Sequence, residues 1–122
     1  MEYCKGERKD KKEIVNFINS VFHEDFYNIM PKVYREGMNY EAYHQLIKEN
    51  GKIIAALGVY EQDFFIKGKR LRTGFIGSVS VSEEERGKGY MKLLMHKAEE
   101  EMRIRHIDMA MLGGLRNRYG FY

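Results

Sequence analysis

The residues best suited to chemistry lie in the segment Arg86–Tyr90, whose sequence is RGKGY. Gly87 and Gly89 let backbone N–H groups come close to a ligand, and Arg86 and Lys88 add two positive charges. If a helix begins directly after the second glycine, its first turn adds N–H groups without partners and a partial positive charge. Glycines, cations and a helix start in this order predict a site for a phosphate or pyrophosphate group.

Two common phosphate loops are excluded by their patterns. The segment has neither the G-x-x-x-x-G-K-[ST] of a P-loop nor the G-x-G-x-x-G of a dinucleotide fold. A nucleotide-phosphate or nucleic-acid binder using Arg86 and Lys88 stays an alternative, as does an ordinary exposed basic loop. The formal net charge of +3, from 21 basic and 18 acidic residues, is small and does not indicate a duplex-binding surface. We therefore expect no nucleic-acid partner.

Other reactive side chains give weaker signals. Ser78 and Ser80 are interpreted as strand residues rather than nucleophiles, because no base lies near them in the sequence. Cys4 is the only cysteine, so no internal disulfide is expected. No metal site is expected either, because metal-ligand spacing is missing among the four histidines, which are His23, His44, His96 and His106.

No general base for an amine substrate can be identified from the sequence. Glu24, Glu61 and Asp63 are candidates, but the sequence favours an ordinary surface position over a role as base for all three. Glu84, in the acidic run before Arg86, is an alternative contact for an amine.

The elements that would position this loop follow from hydrophobic periodicity. Lys11–Phe22 has the pattern of an amphipathic helix, after a short extended start at Glu2–Lys5. Pro31 is expected to open a second short helix or to lie in the loop before it. The β-branched and aromatic content of the middle of the chain predicts a meander with strands at Lys52–Tyr60, Asp63–Ile66 and Leu71–Ser82 and a turn at Lys67–Arg70.

Within the last of these strands, strict alternation predicts two faces. Phe75, Gly77, Val79 and Val81 would share one face, and Ile76, Ser78, Ser80 and Ser82 the other.

A change of period marks the helix that follows the loop. One apolar stripe predicts a helix over about Tyr90–Arg105, and its members are Met91, Leu94, Met95, Ala98 and Met102. Ile107–Leu112 is then a short apolar strand. A strand, a helix and a strand in succession favour parallel pairing of the two strands. The chain of 122 residues is consistent with one α/β domain.

The stretch V-S-E-E-E-R-G-K-G-Y-M-K-L-L resembles the acyl-CoA-binding motif of the GNAT acetyltransferases, [Q/R]-x-x-G-x-[G/A]. Arg86 matches the first position and Gly89 the fourth, whereas Met91 stands where Gly or Ala is usual. The tail L-G-G-L-R-N-R-Y-G-F-Y is similar to the later motif of the branch that includes the enhanced-intracellular-survival acetyltransferases, and Tyr119 fits the tyrosine of that motif.

This resemblance implies a mostly antiparallel sheet flanked by helices, with one splayed parallel strand pair. It implies acetyl-CoA as co-substrate, direct attack by a primary amine, and a role as general acid for Tyr119, for which an aromatic of the core or of an interface beside Phe121 is the alternative. The residues that it assigns to acetyl-CoA are Val79, Ser80 and Val81 for the pantetheine arm, and Arg86, Gly87, Lys88, Gly89 and Tyr90 for the pyrophosphate. An acyl-CoA-binding module without turnover is the main alternative.

Three further expectations concern the whole chain. The aromatic segment Arg116–Tyr122 begins a helix without a stop signal, so the domain is expected to be incomplete at its C-terminus and to self-associate through the exposed strand Ile107–Leu112. No apolar run approaches the roughly 20 residues that span a bilayer, so no membrane partner is expected. A polar N-terminus makes the cytoplasm the default location.

Overall fold

A computed structural model of the chain describes residues 1–29, 34 and 39–112. The strands are β1 (Glu2–Lys5), β2 (His44–Glu49), β3 (Lys52–Ile66), β4 (Lys69–Val81) and β5 (Met109–Leu112). The helices are α1 (Lys11–Phe22), α2 (Phe26–Ile29) and α3 (Tyr90–Ile104). The five strands form one sheet in the order β1-β2-β3-β4-β5. All neighbours are antiparallel except β4 and β5, which run parallel as predicted.

Helices cover the sheet on both faces. Helix α1 buries Ile14, Val15 and Ile18 in a core that includes Leu46 of β2 and Ala56 of β3. On the other face, α3 packs on a second core through the inner part of its predicted stripe, which consists of Leu94, Ala98 and Met102. The mixed α/β architecture with helices on both faces is the fold class that the sequence indicates.

The sequence-based element bounds agree closely in some places and fail in others. The predicted bounds Glu2–Lys5 and Lys11–Phe22 are those of β1 and α1. The strand β2 was not predicted. The two predicted strands at residues 52–60 and 63–66 are one continuous strand, because the polar pair Glu61 and Gln62 lies in a long hairpin that is exposed to water. Pro31 lies outside the described residues.

The predicted faces of β4 are wrong because the strand contains a bulge. Gly77 pairs with Gly58, and Ser80 pairs with Ala56, so two residues of β4 oppose the single residue Leu57 of β3. Ser78, the first of the two, has a φ of 53°. After the bulge, Val79 and Val81 lie with Ile76 in the core beneath α3, whereas the side chains of Ser78 and Ser80 turn toward α1.

Candidate active site

The loop between β4 and α3 has the conformation that its glycines predict. A short 3₁₀ turn at Glu83–Glu85 follows the strand, and Gly87 and Gly89 then adopt φ values of 84° and 82°. Space is open beside both Cα atoms, since an added Cβ at either glycine would meet nothing within 4 Å. A ligand can therefore approach the backbone of this loop.

Helix α3 begins at Tyr90, directly after its N-cap residue Gly89, which makes no side-chain capping bond. The N–H of Leu93 is bonded to the carbonyl of Gly89, and the N–H groups of the turn before it have no carbonyl within the helix. Those N–H groups and the helix dipole make this helix start attractive to an anion.

The two cations of the loop make different contacts. Arg86 is exposed, and its Nε donates to the carbonyl oxygen of Val81 at 3.4 Å, so its stem lies across the end of β4. Lys88 pairs with Glu85 at 2.7 Å, which offsets part of its charge. Arg86 therefore lies between the end of the strand and the helix start, where a ligand that spans the two would contact it.

The edge of β4 that faces β5 is paired over only part of its length. Residues Thr73–Ile76 pair with β5, from Thr73 opposite Met109 to Ile76 opposite Leu112. Beyond Ile76, no strand within residues 1–29, 34 and 39–112 pairs with that edge of β4. This stretch contains the residues that the resemblance assigns to the pantetheine arm, which are Val79, Ser80 and Val81. The side chains of all three are buried. Ser80 also donates its hydroxyl to the carbonyl of Ser78 at 3.0 Å.

A cavity of about 350 Å³ adjoins the loop on the side of α1. Its lining comes from the second half of α1 and from the segment before the glycines, and consists of Phe17, Ser20, Val21, His23, Ser82, Glu83, Glu84 and Arg86. Glu84 accepts a hydrogen bond from the Ser82 hydroxyl at 2.8 Å. The cavity therefore places carboxylates close to the cationic end of the loop.

The bulge in β4 brings together a cluster of polar side chains that the sequence did not reveal. We call Tyr34, His44, Tyr60 and Ser78 the hydroxyl cluster. The Tyr34 hydroxyl lies 3.0 Å from His44 Nε2, 2.6 Å from the Tyr60 hydroxyl and 2.8 Å from Ser78 Oγ. Because the four residues are far apart in the chain, no spacing rule could have grouped them.

Burial changes the acid–base behaviour of this cluster. His44 is fully buried, and burial lowers its pKa to about 4. Burial and the neighbouring Tyr60 raise the pKa of Tyr34 well above its ordinary value, and burial also raises the pKa of Tyr60. The cluster is consequently neutral near pH 7.

The carboxylates considered as general bases lie elsewhere. Glu61 is engaged by Arg105 at 3.1 Å and by Arg72 at 3.4 Å, and Asp63 pairs with Arg70 at 2.8 Å. Both carboxylates belong to the exposed hairpin of β3 and β4, and neither joins the hydroxyl cluster. Glu24 is exposed, just beyond the end of α1.

Two further sequence-based expectations concern the general acid and a metal site. Tyr119, the predicted general acid, and the segment Arg116–Tyr122 lie outside the described residues. Within the described part of the chain, no group of three or more His, Cys, Asp or Glu side chains could hold a metal ion.

No described helix is both long enough and apolar enough to cross a membrane.

A parallel strand pair, a bulged strand, and a cationic glycine loop that opens a helix together define an acyltransferase-like architecture. A family model described as "Acetyltransferase (GNAT) domain" matches residues 2–122. The chain belongs to this family, so it is an acetyltransferase of the GNAT class. Proteins of this family generally use acetyl-CoA and an acceptor substrate.

Solved structures have the same fold. A predicted acetyltransferase with acetyl-CoA from Clostridium acetobutylicum superposes with a TM-score of 0.80 at 19% identity, over 99% of this chain and 85% of that one. A GCN5-related N-acetyltransferase from Ralstonia eutropha JMP134 gives 0.79 at 18% identity, over 99% and 88%. Glucosamine-6-phosphate N-acetyltransferase from Arabidopsis thaliana gives 0.68 at 21% identity, over 99% and 86%. None of the curated proteins matches the chain.

Proposed function

We propose that the protein transfers an acetyl group from acetyl-CoA to a primary amine. The observation that carries this proposal is the loop Arg86–Tyr90, in which two glycines with positive φ open the backbone directly before the start of α3. Family membership supports an acetyltransferase, and the loop supports a donor that carries a pyrophosphate. The proposed donor is therefore acetyl-CoA rather than a donor without phosphate.

The residues present suit the donor along its whole length. The N–H groups around Gly87–Tyr90, with Arg86 and Lys88, would hold the pyrophosphate. The edge of β4 at Val79–Val81, with which no described strand pairs, would pair with the amides of the pantetheine arm, in the same way that it would pair with another strand. The thioester end would then lie near the bulge at Ser78.

The chemistry needs no covalent enzyme intermediate. Acetyl-CoA supplies an activated acyl group: the amine nitrogen bonds to its carbonyl carbon and loses one proton to solvent, the C–S bond breaks, and the sulfur leaves as a thiolate. We assign to Tyr119 the transfer of a proton to that sulfur, on the basis of the family resemblance. The same resemblance supports our further proposal that the chain belongs to the branch of the enhanced-intracellular-survival acetyltransferases.

An acyl-CoA-binding module without turnover is the second candidate. The loop would bind acyl-CoA in either case. The two candidates differ only in whether the protein then transfers the acetyl group to an amine. A nucleotide-phosphate binder is disfavoured by the family match, and a comparison of ATP with CoA as ligands tests it directly.

The test of this proposal is calorimetric titration of CoA into wild-type protein and into Arg86→Ala. Hydrogen bonds to charged groups contribute about 1.5–3 kcal/mol, so we expect the dissociation constant of the variant to rise roughly tenfold or more. Arg103→Ala is a matched control, because Arg103 is an exposed arginine near the far end of α3. Equal CoA affinity in wild type and Arg86→Ala, or stronger binding of ATP than of CoA, would contradict the proposal.

A further inference from the structure

Ser78 has a backbone conformation that serine rarely adopts. Its φ of 53° lies in the left-handed region, which costs free energy for a residue with a side chain. The other described non-glycine residues with positive φ are exposed in turns or at helix ends, and they are His23, Asn50, Lys67 and His106. Ser78 is instead buried within β4. Such a conformation persists inside a sheet only when the surrounding contacts hold it.

The contacts that hold the Ser78 side chain come from two tyrosines. Ser78 Oγ accepts a hydrogen bond from the Tyr34 hydroxyl at 2.8 Å and a longer one from the Tyr60 hydroxyl at 3.3 Å. The carbonyl oxygen of Ser78 also accepts from the hydroxyl of Ser80 at 3.0 Å. Tyr34 therefore makes the shorter of the two bonds to the side chain of the bulge.

Tyr34 is itself held on several sides. It is fully buried, and its ring packs against those of Phe26 and Tyr40, with centroids 5.7 Å and 5.2 Å away. Its hydroxyl also lies 3.0 Å from His44 Nε2. These contacts restrict the ring, so the hydroxyl is presented to the bulge in a defined position.

The bulge decides which backbone groups β4 presents beyond it. Successive residues of a strand direct their N–H and C=O groups to alternate edges, so one extra residue shifts this alternation for all the residues that follow. In β4 the extra residue lies directly before Val79–Val81. The bulge therefore determines which N–H and C=O groups of that segment face the edge with which no described strand pairs.

A side chain that holds the bulge also holds this edge. We propose that Tyr34 is a positioning residue, which fixes the bulge through its hydrogen bond to Ser78 and so orients the backbone groups of Val79–Val81 toward the pantetheine arm. This inference rests on the proposed function, because that proposal gives the edge its ligand. Tyr34 and Ser78 act on the donor only through the backbone.

Calorimetric titration of two ligands separates positioning from a general loss of structure. CoA carries the pantetheine arm, whereas adenosine 3′-phosphate 5′-diphosphate carries the nucleotide and pyrophosphate without the arm. We expect Tyr34→Phe and Ser78→Ala each to weaken CoA binding about tenfold, and to change binding of the nucleotide without the arm little. The matched control is Tyr40→Phe, which removes the hydroxyl of a second buried tyrosine, bonded to the Lys11 carbonyl. This control should bind both ligands as wild type does.

Glycine at position 78 tests whether the serine hydroxyl works through the backbone. Because glycine adopts positive φ at little cost, the bulge should persist in Ser78→Gly without the bond from Tyr34. We expect Ser78→Gly and the double variant Tyr34→Phe/Ser78→Gly to bind CoA nearly as wild type does. Failure of glycine to restore CoA binding to Tyr34→Phe would overturn the inference.

Urea unfolding establishes that each variant is folded before its affinity is compared. Wild-type CoA affinity in both Tyr34→Phe and Ser78→Ala would also overturn the inference. If Arg86→Ala weakened CoA binding in that case, the proposed function would stand without this role for Tyr34. If Arg86→Ala also bound CoA as wild type does, the proposed function would fail as well.

Discussion

Arg86 illustrates how one side chain can link two parts of a binding site. Its Nε reaches the carbonyl of Val81 at the end of β4, and its backbone leads into the first glycine of the loop. Lys88, only two residues later, is instead paired with Glu85. The sequence predicts both cations equally well, but only the structure separates their roles, because the contacts depend on how the loop folds back on the strand.

Tyr119 is the residue whose role rests on resemblance alone. We predict that Tyr119→Phe lowers kcat far more than it changes KM for acetyl-CoA, since a positioned proton donor contributes about 10²–10⁴-fold to the rate. Steady-state kinetics with n-butylamine as acceptor would measure both parameters. The control is Tyr43→Phe, which removes the hydroxyl of a partly exposed tyrosine. Wild-type kcat in Tyr119→Phe would exclude the tyrosine from the proton transfer.

At the scale of elements, the start of α3 depends on a backbone conformation that glycine adopts easily. Gly89 and Gly68 have φ values of 82° and 79°, and both have open space where a Cβ would be added. Alanine in this conformation costs roughly 1–2 kcal/mol, so Gly89→Ala and Gly68→Ala should lose similar stability. Gly68 lies in the β3–β4 turn, away from the loop.

We predict that Gly89→Ala weakens CoA binding, whereas Gly68→Ala does not. The physical reason is that the new methyl group of Gly89→Ala occupies the space from which a pyrophosphate would contact the helix start. Urea unfolding measures the stability of both variants, and titration calorimetry measures their affinity. Equal CoA affinity in the two variants would show that the ligand does not approach this loop.

The elements also show which parts of the fold the sequence can predict. Helix α1, the apolar stripe of α3 and the parallel pairing of β4 with β5 all follow from local periodicity, and the structure confirms them. The strand β2 was missed because its sequence, HQLIKE, mixes polar and apolar residues, although the first four of them are all buried. Its His44 and Gln45 are buried polar side chains, and their partners, Tyr34 and Tyr3, come from distant parts of the chain.

The bulge of β4 is the most consequential feature that alternation could not predict. Strict alternation puts Ser78 on the face of Ile76, beneath α3, whereas one extra residue moves it to the face of α1. A bulge is decided by which partner residues face each other, and that pairing is not contained in the strand's own sequence. The hydroxyl cluster therefore became visible only in three dimensions.

For the whole molecule, the buried neutral His44 links stability to pH. The unfolded chain binds a proton at a pKa near 6.5, whereas burial lowers the folded pKa to about 4. Between these values the unfolded state holds more protons, so the free energy of unfolding falls as pH decreases. We predict a loss of roughly 2 kcal/mol between pH 7 and pH 5 from this residue alone.

Urea unfolding at the two pH values measures this loss, and His44→Gln is the comparison. The variant is expected to be less stable at pH 7 but to lose much less stability between pH 7 and pH 5. Carboxylates in ion pairs do not disturb the comparison of the two proteins between pH 7 and pH 5. Glu101, for example, has its pKa lowered by the bond from Lys5, so its contribution is lost only at lower pH. An equal pH dependence in both proteins would show that His44 is not buried in its neutral form.

The most direct test of the account is a transfer assay with acetyl-CoA labelled in the acetyl group and n-butylamine as acceptor. The account predicts labelled N-butylacetamide in equal amount to the free thiol released, and at low donor concentration much less of both in Arg86→Ala. Transfer should survive in Arg103→Ala. Tight CoA binding without any labelled amide, from this or other primary amines, would contradict the proposed transfer and identify the protein as an acyl-CoA-binding module.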